Sequence, residues 1–312
     1  HLAAGPEALA ALATLPEVDL AVNGVVARAG LEPSLAAAEA GKLLALANKE
    51  SLVLAGELLM EVAMAHGATV LPVDSEHSGL FQCLEGRDSA TVRRLLITAS
   101  GGPFRGKKAA ELGEVTPEEA LCHPVWPMGP RITVDSATLF NKGLEVIETY
   151  RLFDVKLDAI DVWVHPQSVI HALVEFVDGS VLAQVSAPDM MLPVQFAMSY
   201  PHRWACDTPR ANLPDWKSLE FQEPDHETFP AIQLARRAAV AGGTAPTVLN
   251  AADEVAVAAF LERRIRFPEI IELVGSVLEA CPVEPVRSLA SVSQADAAAR
   301  DEARHRIGLR VG

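Results

Sequence analysis

The sequence predicts an α/β architecture in three parts: a parallel, helix-covered sheet, then a mixed α/β segment, then a helical bundle. Three observations predict it. Over the first 73 residues short apolar runs alternate with stretches of helical periodicity, which implies parallel strands joined by crossover helices. Between 168 and 186 two strand-like segments of alternating polarity meet at Asp178-Gly179, a hairpin signal. Beyond 226 amphipathic or Ala-rich stretches follow one another with short connections, as in a bundle.

Taken in order, residues 5–15 read as a helix, 18–22 as a short apolar strand and 33–42 as an Ala-rich helix ending near Gly41. A strand at 43–47 follows, then a helix at 50–66 stopped by Gly67 and a buried strand at 68–73. Residues 1–73 thus make a partial Rossmann-like sheet. It opens on a helix and has no Gly-rich turn between a first strand and its helix, the device that cradles a dinucleotide pyrophosphate. Residues 74–200 carry most of the polar motifs, with a strand at 95–98 and the hairpin, and are expected to form a catalytic domain. The stretch 201–225, with Pro209, Pro214 and Pro224 and little periodicity, reads as a linker. Helices at 231–241, 248–263, 268–281 and 293–306 complete a C-terminal bundle over 226–312.

The chain has 312 residues, half of them apolar, and a formal net charge of −15. That acidic excess argues against a nucleic-acid surface, which needs clustered Lys and Arg. Cys83, Cys122, Cys206 and Cys281 are scattered and form no CxxC pair, so neither a zinc knuckle nor a disulfide framework is expected, and reduced cytoplasm is the natural compartment. No apolar run approaches the roughly 20 residues of a membrane helix, and no membrane partner is expected.

Five stretches carry chemistry. Asp74 and Glu76 follow a strand; on extended backbone they face one way and form an oxygen clamp suited to Mg²⁺ or Mn²⁺, or simply a strand-end cap. The run from Asp135 to Glu145 starts like a capped helix and sets Asn141 and Glu145 one turn apart; Ser136, Asn141 and Lys142 are phosphate-type donors, unless this is a solvated surface helix. Ser100-Gly101-Gly102 presents a hydroxyl on a close-approach loop or is an ordinary turn. The segment from His123 to Pro130, with Trp126, Met128 and Gly129 among prolines, resembles a lid more than a core strand, though Trp126 can equally pack it over a surface. Asn48-Lys49-Glu50 sits at a strand-to-helix junction, where Lys49 can aim a cation into a crevice or stay solvated behind an Asn48 cap. His165, His171, Asp253 and Glu254 read as structural.

Together, ALANKESLV at 45–53, LPVDSEHSGLFQ at 71–82, LITASGGPFRG at 96–106, HPVWPMGPRITVDSATLFNKGLEVIE at 123–148, the stretch 164–201 and LNAADEVAVAAFL at 249–261 resemble the 1-deoxy-D-xylulose 5-phosphate reductoisomerase family, in order and over nearly the whole chain. The resemblance implies NADPH- and metal-dependent isomerisation and reduction of 1-deoxy-D-xylulose 5-phosphate to 2-C-methyl-D-erythritol 4-phosphate, by a homodimer. It implies that Asp74, Glu76 and Glu145 bind Mn²⁺ or Mg²⁺, with Co²⁺ an acceptable substitute. Lys49, Glu76 and His123 would be catalytic. Lys49, Ser75, Glu76 and Glu145 would meet the substrate, and Ser100, Ser136, Asn141 and Lys142 its phosphate. His123, Trp126 and Met128 would form a closing flap, Asn48, Glu50 and Gly129 would touch NADPH, and Met190 would lie near the pocket. Because the Gly-rich phosphate loop with which the family begins is not found, a metal- and phosphosugar-binding chain without redox activity is the alternative. A cofactor-free isomerase or aldolase of phosphosugars ranks after it.

Overall fold

The computed structural model describes residues 4–311. In chain order its helices and strands are α1 (Pro6–Ala13), β1 (Leu20–Asn23), α2 (Leu31–Glu39), β2 (Leu43–Leu46), α3 (Lys49–His66), β3 (Thr69–Pro72), α4 (Ser75–Leu84), β4 (Val92–Ala99), α5 (Pro117–Ala120), α6 (Pro130–Ala137) and α7 (Phe140–Leu152). There follow β5 (Ile160–Val164), β6 (Ile170–Phe176), β7 (Val181–Val185), α8 (Met191–Ser199), α9 (Ala231–Ala241), α10 (Ala245–Leu261), α11 (Phe267–Ala280) and α12 (Leu289–Val311). The chain divides into two compact units. The first comprises His1–Thr98, Glu148–Asp161 and Ser168–Leu219, the second Ala99–Ile147, Val162–Gln167 and Glu220–Gly312.

In the first unit β1, β2 and β3 pair in parallel in that order, as alternating apolar runs and helices require. Ala45, Leu71 and Val73 from this sheet are buried with Ala197 of α8. Phe81, Phe196 and Tyr200 meet edge to face beside them, with centroids 5.4–6.3 Å apart. Helix α3 begins where the Asn48 side chain accepts the Ser51 N–H and ends at Gly67, whose φ of 68° closes its last turn. The helix is broken at Ala55 (φ −145°), so it is two segments rather than one continuous rod.

The hairpin at Asp178-Gly179 is present as β6–β7, antiparallel, in a sheet of order β5-β4-β6-β7. The expected inside–outside alternation of its first strand is not: every residue of β6 is buried. β6 is an interior strand with α4 laid across it so closely that a Cβ on Gly79 would stand 3.1 Å from Ala172. Strand β5 and helix α4 lie outside the sequence expectation, α4 because its first residues read as a strand end.

In the second unit α10 is buried along nearly its whole length, with α9, α11 and α12 around it. Such a helix is covered on all sides rather than amphipathic, which suits a bundle centre, and it buries Thr247, Asn250 and Asp253 among its apolar residues. Phe260 of α10 meets Phe267 edge to face at 5.7 Å, and Phe267 meets Phe104 at 5.0 Å. Gly143 of α7 faces α9, where a Cβ would come within 2.9 Å of Ala235. Phe260 is 1% exposed, so Phe260→Ala is expected to cost about 3–5 kcal/mol. Urea unfolding measures this, and a loss below about 1 kcal/mol would mean that the bundle centre collapses to fill the void.

Candidate active site

The strand end at Val73 leads directly into a helix, and this junction organises the candidate residues of the first unit. Asp74 has extended backbone angles and stands at the N-cap of α4, while Ser75 and Glu76 already form its first turn. The expectation that Asp74 and Glu76 share one face of an extended strand is therefore corrected: they converge through a cap and a first helical turn, where the helix N-terminus favours carboxylates. The Ser75 hydroxyl donates to the Glu76 carboxylate.

Lys49, in the first turn of α3, reaches Asp74 with its Nζ 2.7 Å from Oδ2, both side chains largely buried. Burial alone would push the Asp74 carboxyl up; the Lys49 ammonium and then His77 outweigh it, and Asp74 lies well below the usual carboxylate range. Lys49 is thus not the solvated cation behind a helix cap. The cap itself is real: Asn48 accepts from Ser51 N and donates to the Val25 and Ala27 carbonyls and to Glu50 Oε2.

A further acid and a histidine of this unit went unnoticed in the sequence. His77 is fully buried, its Nδ1 3.4 Å from Glu148 Oε2 and 3.9 Å from Asp74 Oδ1, its Nε2 2.9 Å from Thr149 Oγ1. Asp74, His77 and Glu148 each bring a ligand-type atom within 4.8 Å of the others. The available signal was spacing: His77 falls one turn after Asp74, and Glu148 one turn after Glu145.

In the second unit Ser136 occupies the last turn of α6 rather than the start of a helix, so the expected capped helix beginning at Asp135 is also corrected. The chain breaks at Thr138 and Leu139, the latter at φ 61°, and Thr138 Oγ1 accepts the Phe140 N–H to start α7. Asn141 and Glu145 are one turn apart as expected, and Asn141 Nδ2 donates to Glu145 Oε1 at 2.5 Å. Lys142 is buried and pairs with the same carboxylate, so the solvated-helix alternative fails. Against the end of α6 lies the Ser100 loop. A Cβ on Gly102, at φ 67°, would be 2.7 Å from the Ser136 carbonyl, so only glycine permits this approach.

The Ser100 loop also holds the flap. Backbone N–H groups of Val125 and Trp126 both donate to His123 Nδ1, at 3.1 and 2.8 Å, which places the ring proton on Nε2, 3.0 Å from Ser100 Oγ. Ser100 Oγ in turn accepts from Gly102 N. An open cavity of about 690 Å³ is bounded here by Cys122, His123, Trp126, Met128 and Gly129. Gly129 is the N-cap of α6, so flap and helix are continuous. Met190 lies in the first unit at the start of α8, partly exposed. His165 accepts a structural role, its Nδ1 2.8 Å from the Glu220 carbonyl and its ring stacked on Phe221.

Comparison with known proteins gives one consistent result. Family profiles described as 1-deoxy-D-xylulose 5-phosphate reductoisomerase, the C-terminal domain of that enzyme and the DXP reductoisomerase C-terminal domain match residues 1–56, 70–153 and 185–302. The 1-deoxy-D-xylulose 5-phosphate reductoisomerase of Heliobacterium modesticaldum is 52% identical over 97% of the chain and 78% of its own length. That of Pseudomonas putida is 53% identical over 96% and 77%. Among solved structures, the Zymomonas mobilis enzyme in complex with NADPH superposes with a TM-score of 0.92 and 43% identity, over 97% of this chain and 78% of that one. A reductoisomerase in complex with NADPH, fosmidomycin and magnesium gives 0.93 and 41%, over 98% and 79%.

Burial holds the His123 imidazole below its ordinary range, and the two N–H groups aimed at Nδ1 oppose its protonation. Its neutral form is the one the fold favours, so whatever stability this turn contributes is full above the ordinary histidine range and declines as pH falls through it. NMR titration is expected to give a His123 midpoint below about 6.5. A midpoint above that value would contradict the assigned tautomer.

Proposed function

The chain belongs to the 1-deoxy-D-xylulose 5-phosphate reductoisomerase family, and we propose from that premise that it converts 1-deoxy-D-xylulose 5-phosphate to 2-C-methyl-D-erythritol 4-phosphate. The reaction is an isomerisation followed by a reduction, in non-mevalonate isoprenoid precursor synthesis, and it depends on NADPH and a divalent metal. The reading without redox chemistry is not favoured, since solved structures aligned with nearly the whole chain include complexes with NADPH.

The geometric observation that carries the reading is the buried Lys49–Asp74–His77–Glu148 cluster. It keeps a largely buried carboxylate ionised at the end of a parallel strand, where ligands of open α/β sheets bind. The donors suit a hard cation: Asp74 and Glu76 stand together at the start of α4, and Glu145 lies one turn before Glu148 on α7. These three carboxylates are the proposed ligands of Mg²⁺ or Mn²⁺. The bound cation would polarise the carbonyl and hydroxyl oxygens of the substrate, and NADPH would supply the hydride.

The chain's own residues do the rest. Lys49 presents its ammonium to the substrate while holding Asp74 ionised, and Ser75 adds a hydroxyl donor beside it. Ser100, Ser136, Asn141 and Lys142 receive the phosphate, which replaces part of the contact that Lys142 and Asn141 make with Glu145. His123 offers an Nε2 proton and, with Trp126 and Met128, closes over the substrate and excludes water. Asn48, Glu50 and Gly129 are the proposed NADPH contacts, Asn48 through the loop at Val25 and Ala27 that it pins.

We also propose a homodimer formed at β7, an edge strand that leaves Val181 and Leu182 partly exposed, with Val177 beside it. Four free cysteines suit a reducing cytoplasm. Among the described residues no helix is long and apolar enough to cross a membrane.

Glu76→Gln removes one anionic ligand while keeping side-chain volume. Metal-dependent NADPH oxidation is expected to fall by about 10²- to 10³-fold with unchanged circular dichroism. Undiminished turnover would overturn the ligand assignment.

A further inference from the structure

Behind Ser136 lies an ionic cluster that the reaction does not use. Arg131, in the first turn of α6, places Nη1 3.0 Å from Glu254 Oε1, Nη2 3.3 Å from Asp253 Oδ2 and 2.7 Å from Asn250 Oδ1, and Nε 3.5 Å from Asp135 Oδ2. From α12, Arg300 holds Glu254 at 2.5 Å and Asp296 at 2.8 Å. The buried faces that α9 and α11 present are apolar. Two guanidinium groups therefore face four carboxylates. Asp253 is 0% and Asp135 3% exposed.

Burying carboxylates this close together is costly, and a proton is the cheapest way to remove one of the charges. Both carboxylates lie against one guanidinium, Asp253 Oδ2 3.3 Å from Arg131 Nη2 and Asp135 Oδ2 3.5 Å from Nε, and Asp253 Oδ1 is buried without a hydrogen-bond partner. Two ionised carboxylates so placed would repel, whereas one acid and one carboxylate attract.

We infer that Asp253 is a positioning residue: as a neutral acid it donates a hydrogen bond to the Asp135 carboxylate and, with Arg131, fixes α6 and hence Ser136 against α10 and α12. The kinetic part of this inference rests on the proposed phosphate role of Ser136; the protonation part does not. Burial first, then the Asp135 charge, holds the Asp253 carboxyl well above its ordinary range against the pull of Arg131. An unfolded Asp ionises above about pH 4, while the folded one keeps its proton, so stability is full below that pH and is lost as pH rises towards the folded value. An amide at this position donates the same hydrogen bond without a proton to lose.

The test compares the chain with Asp253→Asn and Asp253→Ala. Thermal midpoints from pH 5 to 8 are expected to show Asp253→Asn gaining on the unsubstituted chain by on the order of 3 °C per pH unit until the folded value is reached. A separation that stays constant with pH would overturn the protonated acid. In steady-state kinetics Asp253→Ala is expected to raise KM for the phosphosugar about 10-fold, with kcat less affected and Asp253→Asn restoring KM. An unchanged KM in the alanine variant, or no rescue by asparagine, would overturn the positioning role. The thermal arm needs no turnover, so a failure of the proposed reaction is distinguishable from a failure of this inference.

Discussion

The contact between Lys49 and Asp74 is the constraint around which the candidate residues of the first unit are arranged. A carboxylate this deeply buried is tolerated only with a cation at hand and further donors around it. The cation comes from the first turn of one helix and the carboxylate from the cap of the next, so the two strand-to-helix junctions must be held in register. The parallel sheet does this, with β2 leading into Lys49 and β3 into Asp74 on adjacent strands. Buried His77 and Glu148 then close the cluster from α4 and α7.

The second unit solves a similar problem with buried charges on and against helices. Lys142 is held by Glu145 within α7, and Arg131 by acids of α10. These pairs contribute little net stability, because desolvation offsets much of their attraction. What they contribute is fixed placement of the side chains around them, which the phosphate role proposed for Lys142 and Ser136 would use. The glycine at 102 belongs to the same design, since it lets the Ser100 loop approach the end of α6.

Much of this was legible in the sequence, for reasons particular to each element. The parallel strands declared themselves because both faces of such a sheet are covered and their residues are uniformly apolar. The hairpin declared itself through Asp178-Gly179. The candidate site residues stand out because polar groups recur in long ordered motifs, and the roles proposed for them come from the family resemblance rather than from spacing. What failed did so through tertiary context. Residues Asp74 to Glu76 read as extended because a buried strand precedes them, whereas the chain turns into α4 at once. Asp135 read as a helix cap because its side chain is cap-like, yet it lies inside α6 and spends its charge on Arg131. His77 and Glu148 carry no motif of their own and become visible only when α4 and α7 place them together.

On the proposed function, these carboxylates and donors serve metal-dependent binding of the phosphosugar. Calorimetric titration of 1-deoxy-D-xylulose 5-phosphate into the folded chain, with and without Mn²⁺, tests it most directly. Binding that strengthens at least about 10-fold on adding the cation, a gain of about 1.4 kcal/mol, is the predicted result. Binding of equal strength in the absence of metal, or none by a chain that circular dichroism shows to be folded, would contradict it.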